Sequence, residues 1–497
     1  MAALVPSLLL LAGIAYAPLL GYELSTGDTW PLLFGTRLES WRDIPGFFTS
    51  RLLSGTSFPG DFYRPVALLS FAVDQWLWGA DPRGFYLTNI FIHGASAALV
   101  YVAGRGLTFS VTVSVSAAAL FVVHPLAIEV VPSIARRQDM LACLFSLSSI
   151  VAFIRWRTSE RDGWLVVACI ACLAALSSKE IAIFTPVVSG LCLLLLGHPG
   201  ARRSTCSVWV RFFVAHAAAL SIYLGARALV VGSVDGYGDR FDLERSIGIA
   251  VSALQQMFLG QGGRALASVP GVGFDDRLIA RSLALVLIIF VLASAWSGRA
   301  RSDGRARAIV SIWLMLPLAV CIATNTYASR SLYSSLPPVC LLLAHTIGGL
   351  RPARSHERTG AGGHLLGLGA AAIVLVLTFY SPLFHRYDHW RHGSDAFAAM
   401  RLAIEAEIGC EDLAGVDVVN LYGASSFRRY YKSRLPAARS VSYFRRYVIA
   451  SLFEQRGCPV RIGTIEFVER DPRRSELPTV TSRRSGARLD LLLSMPP

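Results

Sequence analysis

Apolar runs of bilayer length recur along the chain as far as residue 383, separated mostly by short loops that carry arginine. That pattern constrains the fold more than any other feature, because about 20 consecutive apolar residues suffice for a helix to cross hydrocarbon. Spans are expected at 3–20, 85–104, 108–124, 139–155, 163–177, 180–197, 209–231, 278–297, 306–323, 333–350 and 364–383, about eleven in all. The first run ends in Ala15-Tyr16-Ala17, which has the form of a signal-peptidase site, but no basic residue precedes it, so a retained helix is expected. The totals agree with a membrane protein: 54% of residues are hydrophobic, 16% are charged, and the mean hydropathy is +0.50. The net charge of +14 does not signal nucleic-acid binding, since the arginines fall mostly between apolar spans.

Arginine also sets the expected orientation. Arg105, Arg155, Arg157, Arg161, Arg202, Arg203, Arg211, Arg299, Arg301, Arg305, Arg307, Arg351, Arg354 and Arg358 lie in alternate loops. The positive-inside rule assigns those loops to the cytoplasm. Loop 21–84, the segment around 124–139, Ser177–Glu180, 232–277, 323–332 and everything after 384 then face outward. Within 21–84, Pro65–Trp78 has the amphipathic pattern of an interfacial helix, as does Leu243–Phe258 in the later loop. Two domains are expected: a transmembrane domain over 1–383, and a soluble α/β domain over 384–497. In the latter, Asp395–Ile408 reads as a helix, while Val416–Leu421, Arg461–Val468 and Leu489–Leu493 read as strands.

Sorted by this topology, the unusual residues gather on the outer side. Asp28, Glu39, Asp43, Asp61 and Arg64 come from the first loop, and His124, Glu129, Arg136, Arg137 and Asp139 from the segment after the third span. Lys179 and Glu180 begin the sixth span, Arg227 lies near the outer end of the seventh, and Arg330 and Tyr333 begin the tenth. Lysine is otherwise found only at Lys432, among 47 lysines and arginines, which makes Lys179 notable. Charges at a membrane boundary are costly unless they pair or line a wet cavity. Guanidinium groups hold phosphate well, and a nearby carboxylate can take a proton from a hydroxyl. Each residue also has a structural reading. Lys179 and Glu180 suit a boundary pair, Glu129 a brace for Arg136, Arg227 a partner of a first-loop acid, and His124 before Pro125 a helix cap. No Cys/His spacing suggests a metal site; a divalent cation is compatible with the first-loop acids but not required by them.

Several blocks carry a family resemblance. They are Tyr63-Arg64-Pro65 with Leu69-Ser70-Phe71, Gly84-Phe85-Tyr86-Leu87-Thr88-Asn89 with His93, Phe121–Asp139, Leu176-Ser-Ser-Lys-Glu180 and Ser329-Arg-Ser-Leu-Tyr333. In this order they resemble the GT-C membrane glycosyltransferases over about residues 1–390, and within them the transmembrane, tetratricopeptide-repeat-containing protein O-mannosyltransferases and their bacterial relatives. The resemblance implies transfer of a sugar from a polyprenyl-phosphate carrier at the extracytoplasmic face of a bacterial plasma membrane, with an essential acid early in the first outer loop. Asp28 matches that acid. The chain departs from the pattern at Gly27, where a second acid is common, and at Pro132, where a Trp is usual. It also lacks the repeats.

The resulting expectation is a GT-C-like, α-helical polytopic inverting glycosyltransferase. Asp28 would be the general base on the acceptor hydroxyl, and Arg136, Arg137, Lys179 and Arg330 would hold the donor phosphate. Arg64, His124, Glu129, Asp139, Glu180, Arg227 and Tyr333 would support them. The acceptor stays open between protein, lipid and glycan. A non-enzymatic flippase for an anionic lipid and a polysaccharide ligase or polymerase remain alternatives.

Seven of the nine cysteines fall in apolar spans or the short loops beside them, which leaves Cys410 and Cys458 in the tail. The expected outward location is oxidising, so a disulfide between the two is predicted. It would close a loop of about fifty residues and, on the chain-entropy model, stabilise by up to about 4 kcal/mol. Peptide mapping without reductant should find the two cysteines in one cross-linked fragment; two free thiols in the oxidised, folded protein would disprove the bridge.

Overall fold

The computed structural model describes residues 4–24, 29–34, 36, 38, 40–54, 61–79, 81–197, 205–232, 243–259, 301–324, 329–348, 373–375, 377–378, 381–384, 388–409, 411–412, 416, 418–422, 464–468, 479–485 and 488–494. The expected span at 278–297, most of that at 364–383, and both Cys410 and Cys458 lie outside the described residues. The chain forms two compact units. One comprises Met1–Ala17, Thr88–Val131 and Arg136–Arg386; the other comprises Pro18–Leu87, Pro132–Ala135 and Tyr387–Pro497.

The first unit is a helix bundle. Its helices are α1 (Leu4–Tyr16), most of α5 (Pro82–Gly106), α6 (Val111–Val123), α7 (Arg137–Ser159), α8 (Asp162–Leu176), α9 (Phe184–Leu196), α10 (Thr205–Val231), α11 (Leu243–Leu259), α12 (Arg301–Ala323) and α13 (Leu336–Gly348). Among the described residues, six segments are long and apolar enough to cross a membrane: Leu4–Gly21, Pro82–Gly106, Val111–Glu129, Ile134–Ser159, Cys206–Val231 and Gly304–Ala323. Asp162–Leu176 and Glu180–Leu196 are shorter apolar helices. At 1.5 Å rise per residue, α8 is only about 22 Å long, less than the roughly 30 Å of a hydrocarbon core.

Sequence chemistry explains the helix ends. Ser110 caps α6 by accepting the Val113 amide at 3.2 Å, and the helix stops at His124 because Pro125 follows. Glu160, at φ +57°, ends α7 in the left-handed region. Within the bundle α7 packs on α8 and α9, α8 on α10, α6 on α13 and α1, and α12 on α9 and α13. Packing between helices relies on small residues and hydroxyls, since hydrocarbon gives no hydrophobic push between helices. Ser149 Oγ donates to the Ala168 carbonyl at 2.7 Å, joining α7 to α8, and Thr185 Oγ1 donates to Ser146 Oγ at 2.8 Å, joining α9 to α7. On α10, Val210, Phe213, Val214, Ile222 and Leu229 are exposed, as suits a face turned to lipid.

The second unit holds the first loop and the C-terminal segment. The loop contributes α2 (Thr29–Phe34), α3 (Ile44–Phe48) and α4 (Pro65–Trp78), the last with the expected bounds, Asp74 buried and Val73, Trp76, Leu77 and Trp78 exposed. Tyr63 Oη donates to the Phe48 carbonyl at 3.0 Å, Tyr86 Oη to the Glu23 carbonyl at 2.9 Å, and the Glu23 amide to Ser394 Oγ at 2.7 Å. After α14 (Asp388–Glu407) come β1 (Val418–Tyr422), β2 (Thr464–Val468), β3 (Thr479–Ser485) and β4 (Arg488–Ser494). They form one sheet in the order β2-β1-β4-β3, with β1 parallel to both β2 and β4, and β3 antiparallel to β4. β3 is the strand that sequence pattern did not reveal. Its TVTSRRS carries one aliphatic residue, and only pairing with β4, where Val480 faces Leu493, marks it. Glu407 Oε1 fastens it to α14, accepting from both the amide and Oγ of Ser482 at 2.9 Å.

The contact between α1 and α5 offers a test of the bundle. A Cβ on Gly94 would lie 2.8 Å from Leu9 Cδ2 and 3.2 Å from Leu9 Cα, so the two backbones approach as closely as glycine permits. Gly94→Leu should therefore destabilise the bundle by about 1–3 kcal/mol, the usual cost of overpacking. Thermal unfolding in detergent should show an earlier transition, whereas an unchanged profile would mean that α1 is free to move away.

Candidate functional site

The polar residues of the first unit gather where α7 begins. Between α6 and α7 the chain makes two short 3-10 turns, Pro125–Glu129 and Ile134–Arg136. Pro125 to Ile128, Val130 and Val131 are all buried, so this segment is enclosed by protein rather than forming an exposed loop. The Val131 amide donates to the Ala127 carbonyl at 2.8 Å, and the Val131 carbonyl accepts from Asn89 Nδ2 at 3.0 Å. The turn packs against another, Ser329–Ser335, which leads into α13.

His124, between α6 and the first turn, has no exposed surface. Its Nδ1 accepts the Leu126 amide at 3.2 Å, and its Nε2 donates to the Met257 carbonyl of α11 at 2.9 Å. A carbonyl can only accept, so the ring carries its proton on Nε2, and both nitrogens are engaged in holding α11 to the end of α6. The capping reading of His124 is what the geometry displays.

Arg137 begins α7 and is fully buried. A cation at a helix N-terminus meets the positive end of the helix dipole and needs acceptors there. Asn89 Oδ1 supplies one, taking Arg137 Nε at 2.8 Å. Arg136, the residue before the helix, is half-buried, as are Glu129 and Arg330. Asp139 lies in the first turn of α7, where the dipole favours a carboxylate. It forms a short ion pair with Lys179, which links α7 to the segment between α8 and α9. Both partners are nearly removed from solvent, with side-chain exposures of 10% for Lys179 and 2% for Asp139. The second carboxylate oxygen, Asp139 Oδ2, is buried and has no hydrogen-bond partner among the described residues. Such an oxygen is open to a water or a ligand hydroxyl.

Lys179 and Glu180 do not pair with each other but turn to different helices. Glu180 Oε1 accepts Arg227 Nη1 of α10 at 3.3 Å, which ties α10 to the segment between α8 and α9. Tyr333 is fully buried, and its hydroxyl donates to His93 Nδ1 at 2.6 Å while His93 Nε2 donates to the Val122 carbonyl at 3.1 Å. Tyr16, His93, Phe121 and Tyr333 form a closed aromatic group with ring centroids 5.1–5.9 Å apart. Asn89 and His93 were not singled out as site residues by the sequence. The signal for them was two polar side chains one helical turn apart in an otherwise apolar span.

In the second unit, Arg64 is buried with its guanidinium over the Phe62 ring at 4.4 Å. Asp43 closes a capping box with Ser40, and Asp61 pairs with Arg51 at 3.3 Å. Asp28 and Glu39 lie outside the described residues. No group of three metal-ligating side chains occurs among the described residues.

These features define an α-helical integral membrane protein, polytopic, in which two ion pairs, Lys179–Asp139 and Arg227–Glu180, link separate helical segments. The chain resembles protein O-mannosyl-transferases. It is 33% identical over 133 residues to protein O-mannosyl-transferase Tmtc1 of Drosophila melanogaster, a match covering 27% of this chain and 16% of that protein. With human protein O-mannosyl-transferase TMTC4 it shares 33% identity over 155 residues, covering 27% of this chain and 21% of the relative. The chain thus spans about a fifth or less of the length of these relatives. No protein-family model matches it. Among solved structures it is similar to the Archaeoglobus fulgidus oligosaccharyltransferase (TM-score 0.49, 13% identity, 89% of this chain and 64% of that one). A second is ArnT from Cupriavidus metallidurans bound to undecaprenyl phosphate (TM-score 0.48, 11% identity, 84% and 82%).

The buried pair yields a test. Removing one partner of a buried ion pair leaves an uncompensated charge and costs about 3–5 kcal/mol, whereas replacing both with apolar residues is often neutral. Lys179→Met alone and Asp139→Leu alone should lower thermal stability strongly, and the double substitution should recover much of the loss. Additive losses in the double variant would show that the two residues do not depend on each other.

Proposed function

We propose that this protein is a membrane glycosyltransferase that moves a sugar from a polyprenyl-phosphate carrier to an acceptor hydroxyl, inverting the anomeric carbon, at the extracytoplasmic face of a bacterial plasma membrane. The observation that carries the proposal is the 33% identity to proteins named O-mannosyl-transferases. The arrangement at the start of α7 supports it. Arg136, Arg137 and Lys179 bring three cations to one end of the bundle, where a phosphate leaving group would gain charge during transfer. Arg330, on the turn that packs against Pro125–Glu129, adds a fourth.

In this mechanism Asp28 takes the proton of the acceptor hydroxyl as its oxygen attacks the anomeric carbon, and the carbon–phosphate oxygen bond breaks on the opposite side. The family resemblance is what assigns the base to Asp28; Asp43 and Asp61 are engaged in local structure. Phosphate is a good leaving group, so no strong general acid is needed. Arg137 and Lys179, held by Asn89 and Asp139, are fixed before the donor arrives, and a fixed cation needs little reorganisation during the reaction. Glu180 and Arg227 brace the segment that carries Lys179. A divalent cation would add to the same charge stabilisation but is not needed to account for it.

Asp28→Asn removes proton acceptance with little change in volume, so sugar transfer by the purified protein should fall roughly a hundredfold or more while folding is retained. Arg136→Ala should weaken use of the lipid donor more than it affects acceptor affinity. Near-normal turnover in Asp28→Asn would place the base elsewhere, and equal effects of Arg136→Ala on both substrates would give that residue a structural role.

A further inference from the structure

The helices that bring Asn89, Arg137 and Asp139 together carry a second polar group at their other ends. From Arg137 to Arg155 the rise along α7 is about 27 Å, close to the thickness of a bilayer core. There α5 and α7 enclose a cavity of about 370 Å³ lined by Arg105, Arg155 and Arg157. No acidic side chain lines it. Arg105 and Arg155 are exposed and make no ion pair among the described residues.

Arg157 is the most informative of the three. It is buried, and its Nη1 donates to the Gly197 carbonyl at 2.8 Å and the Leu196 carbonyl at 3.3 Å, the orphan acceptors at the end of α9. Its Nε is buried with no hydrogen-bond partner among the described residues. A buried guanidinium donor without an acceptor is costly, and it stands beside two arginines that have no acidic partner among the described residues. Arg105 is held in place by its own bond to the Phe109 carbonyl, in a turn that Thr108 makes at φ +73°. The cavity is therefore preformed on its cationic side. Apart from Thr108 and Thr158, the remaining wall is largely apolar, with Tyr101, Val102, Val151 and Ile154, a surface that a free inorganic ion would not use.

We infer that this cavity is a binding site for a phosphate-bearing ligand, with the headgroup of an anionic phospholipid at the arginines and its glycerol and acyl portion along the apolar wall. Planar guanidinium forks match phosphate oxygens in pairs. The expected topology assigns this end of the bundle to the cytoplasm, whose leaflet is rich in anionic lipid. The inference does not rest on the proposed transfer reaction, and its test needs no activity measurement.

Native mass spectrometry of the full chain, released from detergent with phosphatidylglycerol or with phosphatidylcholine of the same acyl chains, reads the site directly. The wild type should retain phosphatidylglycerol about tenfold better, as expected for hydrogen bonds to a charged group. Arg105→Gln/Arg155→Gln should abolish that preference. Both side chains are exposed, and Arg157, which ties down α9, is left intact so that the fold is kept. Arg161→Gln removes a charge close in sequence but outside the cavity, and should leave the preference unchanged. Equal retention of the two lipids by the wild type, or an equal loss in Arg161→Gln, would overturn the inference. Competition with sodium phosphate separates the two sources of the ligand chemistry. Persistence of phosphatidylglycerol at millimolar phosphate supports the lipid headgroup, and displacement overturns the lipid in favour of a free phosphate.

Discussion

Hydrocarbon offers no hydrogen-bond partner, so a polar group inside this bundle is costly unless the protein, water or a ligand supplies one. The Lys179–Asp139 pair is where that constraint is felt most. Its two charges come from segments forty residues apart, and each is nearly closed off from solvent. Neither could stay charged alone in such a place. The pair therefore fixes the position of the α8–α9 junction against α7, and with it Glu180, which in turn holds Arg227 of α10. Three helices are positioned by two ion pairs.

The same constraint separates positioning from chemistry. His124, Asn89 and His93 each have two polar side-chain atoms engaged, by Leu126 and Met257, by Val131 and Arg137, and by Val122 and Tyr333. These side chains hold backbone turns and other side chains in place. Arg136, Arg330 and Glu129 are half-buried, and Oδ2 of Asp139 is buried with no hydrogen-bond partner among the described residues. Under the proposed reaction, a polar group held in this way would be in place before the donor binds and would act by electrostatic stabilisation of the transition state.

The helices were legible in the sequence because hydrocarbon imposes length and apolarity on each one separately. Pro65–Trp78 could be read to its ends, since Pro65 starts the helix and Gly79 stops it. The charged residues were legible as a set, since charge at a membrane boundary is conspicuous. Their pairing was not. Lys179 and Glu180 are adjacent in sequence yet turn to Asp139 and Arg227, because neighbouring residues on a turn point to different sides. β3 was missed for a related reason: an edge strand that shows one side to solvent needs little apolar pattern, and only its partner reveals it.

The hydrogen bond from Tyr333 to His93 has a consequence for how the protein is made. The two residues are separated by 240 positions, and α1, α5 and α6 all meet at the aromatic group that Tyr333 completes. At typical synthesis speeds of about 5–20 residues per second, roughly 12–48 s pass between the translation of His93 and that of its partner. Throughout that interval Nδ1 of His93 has to be kept wet, shielded by the insertion machinery, or paired with a temporary donor. The early helices can enter the membrane in order, but their packing has to wait for a turn encoded 240 codons after His93.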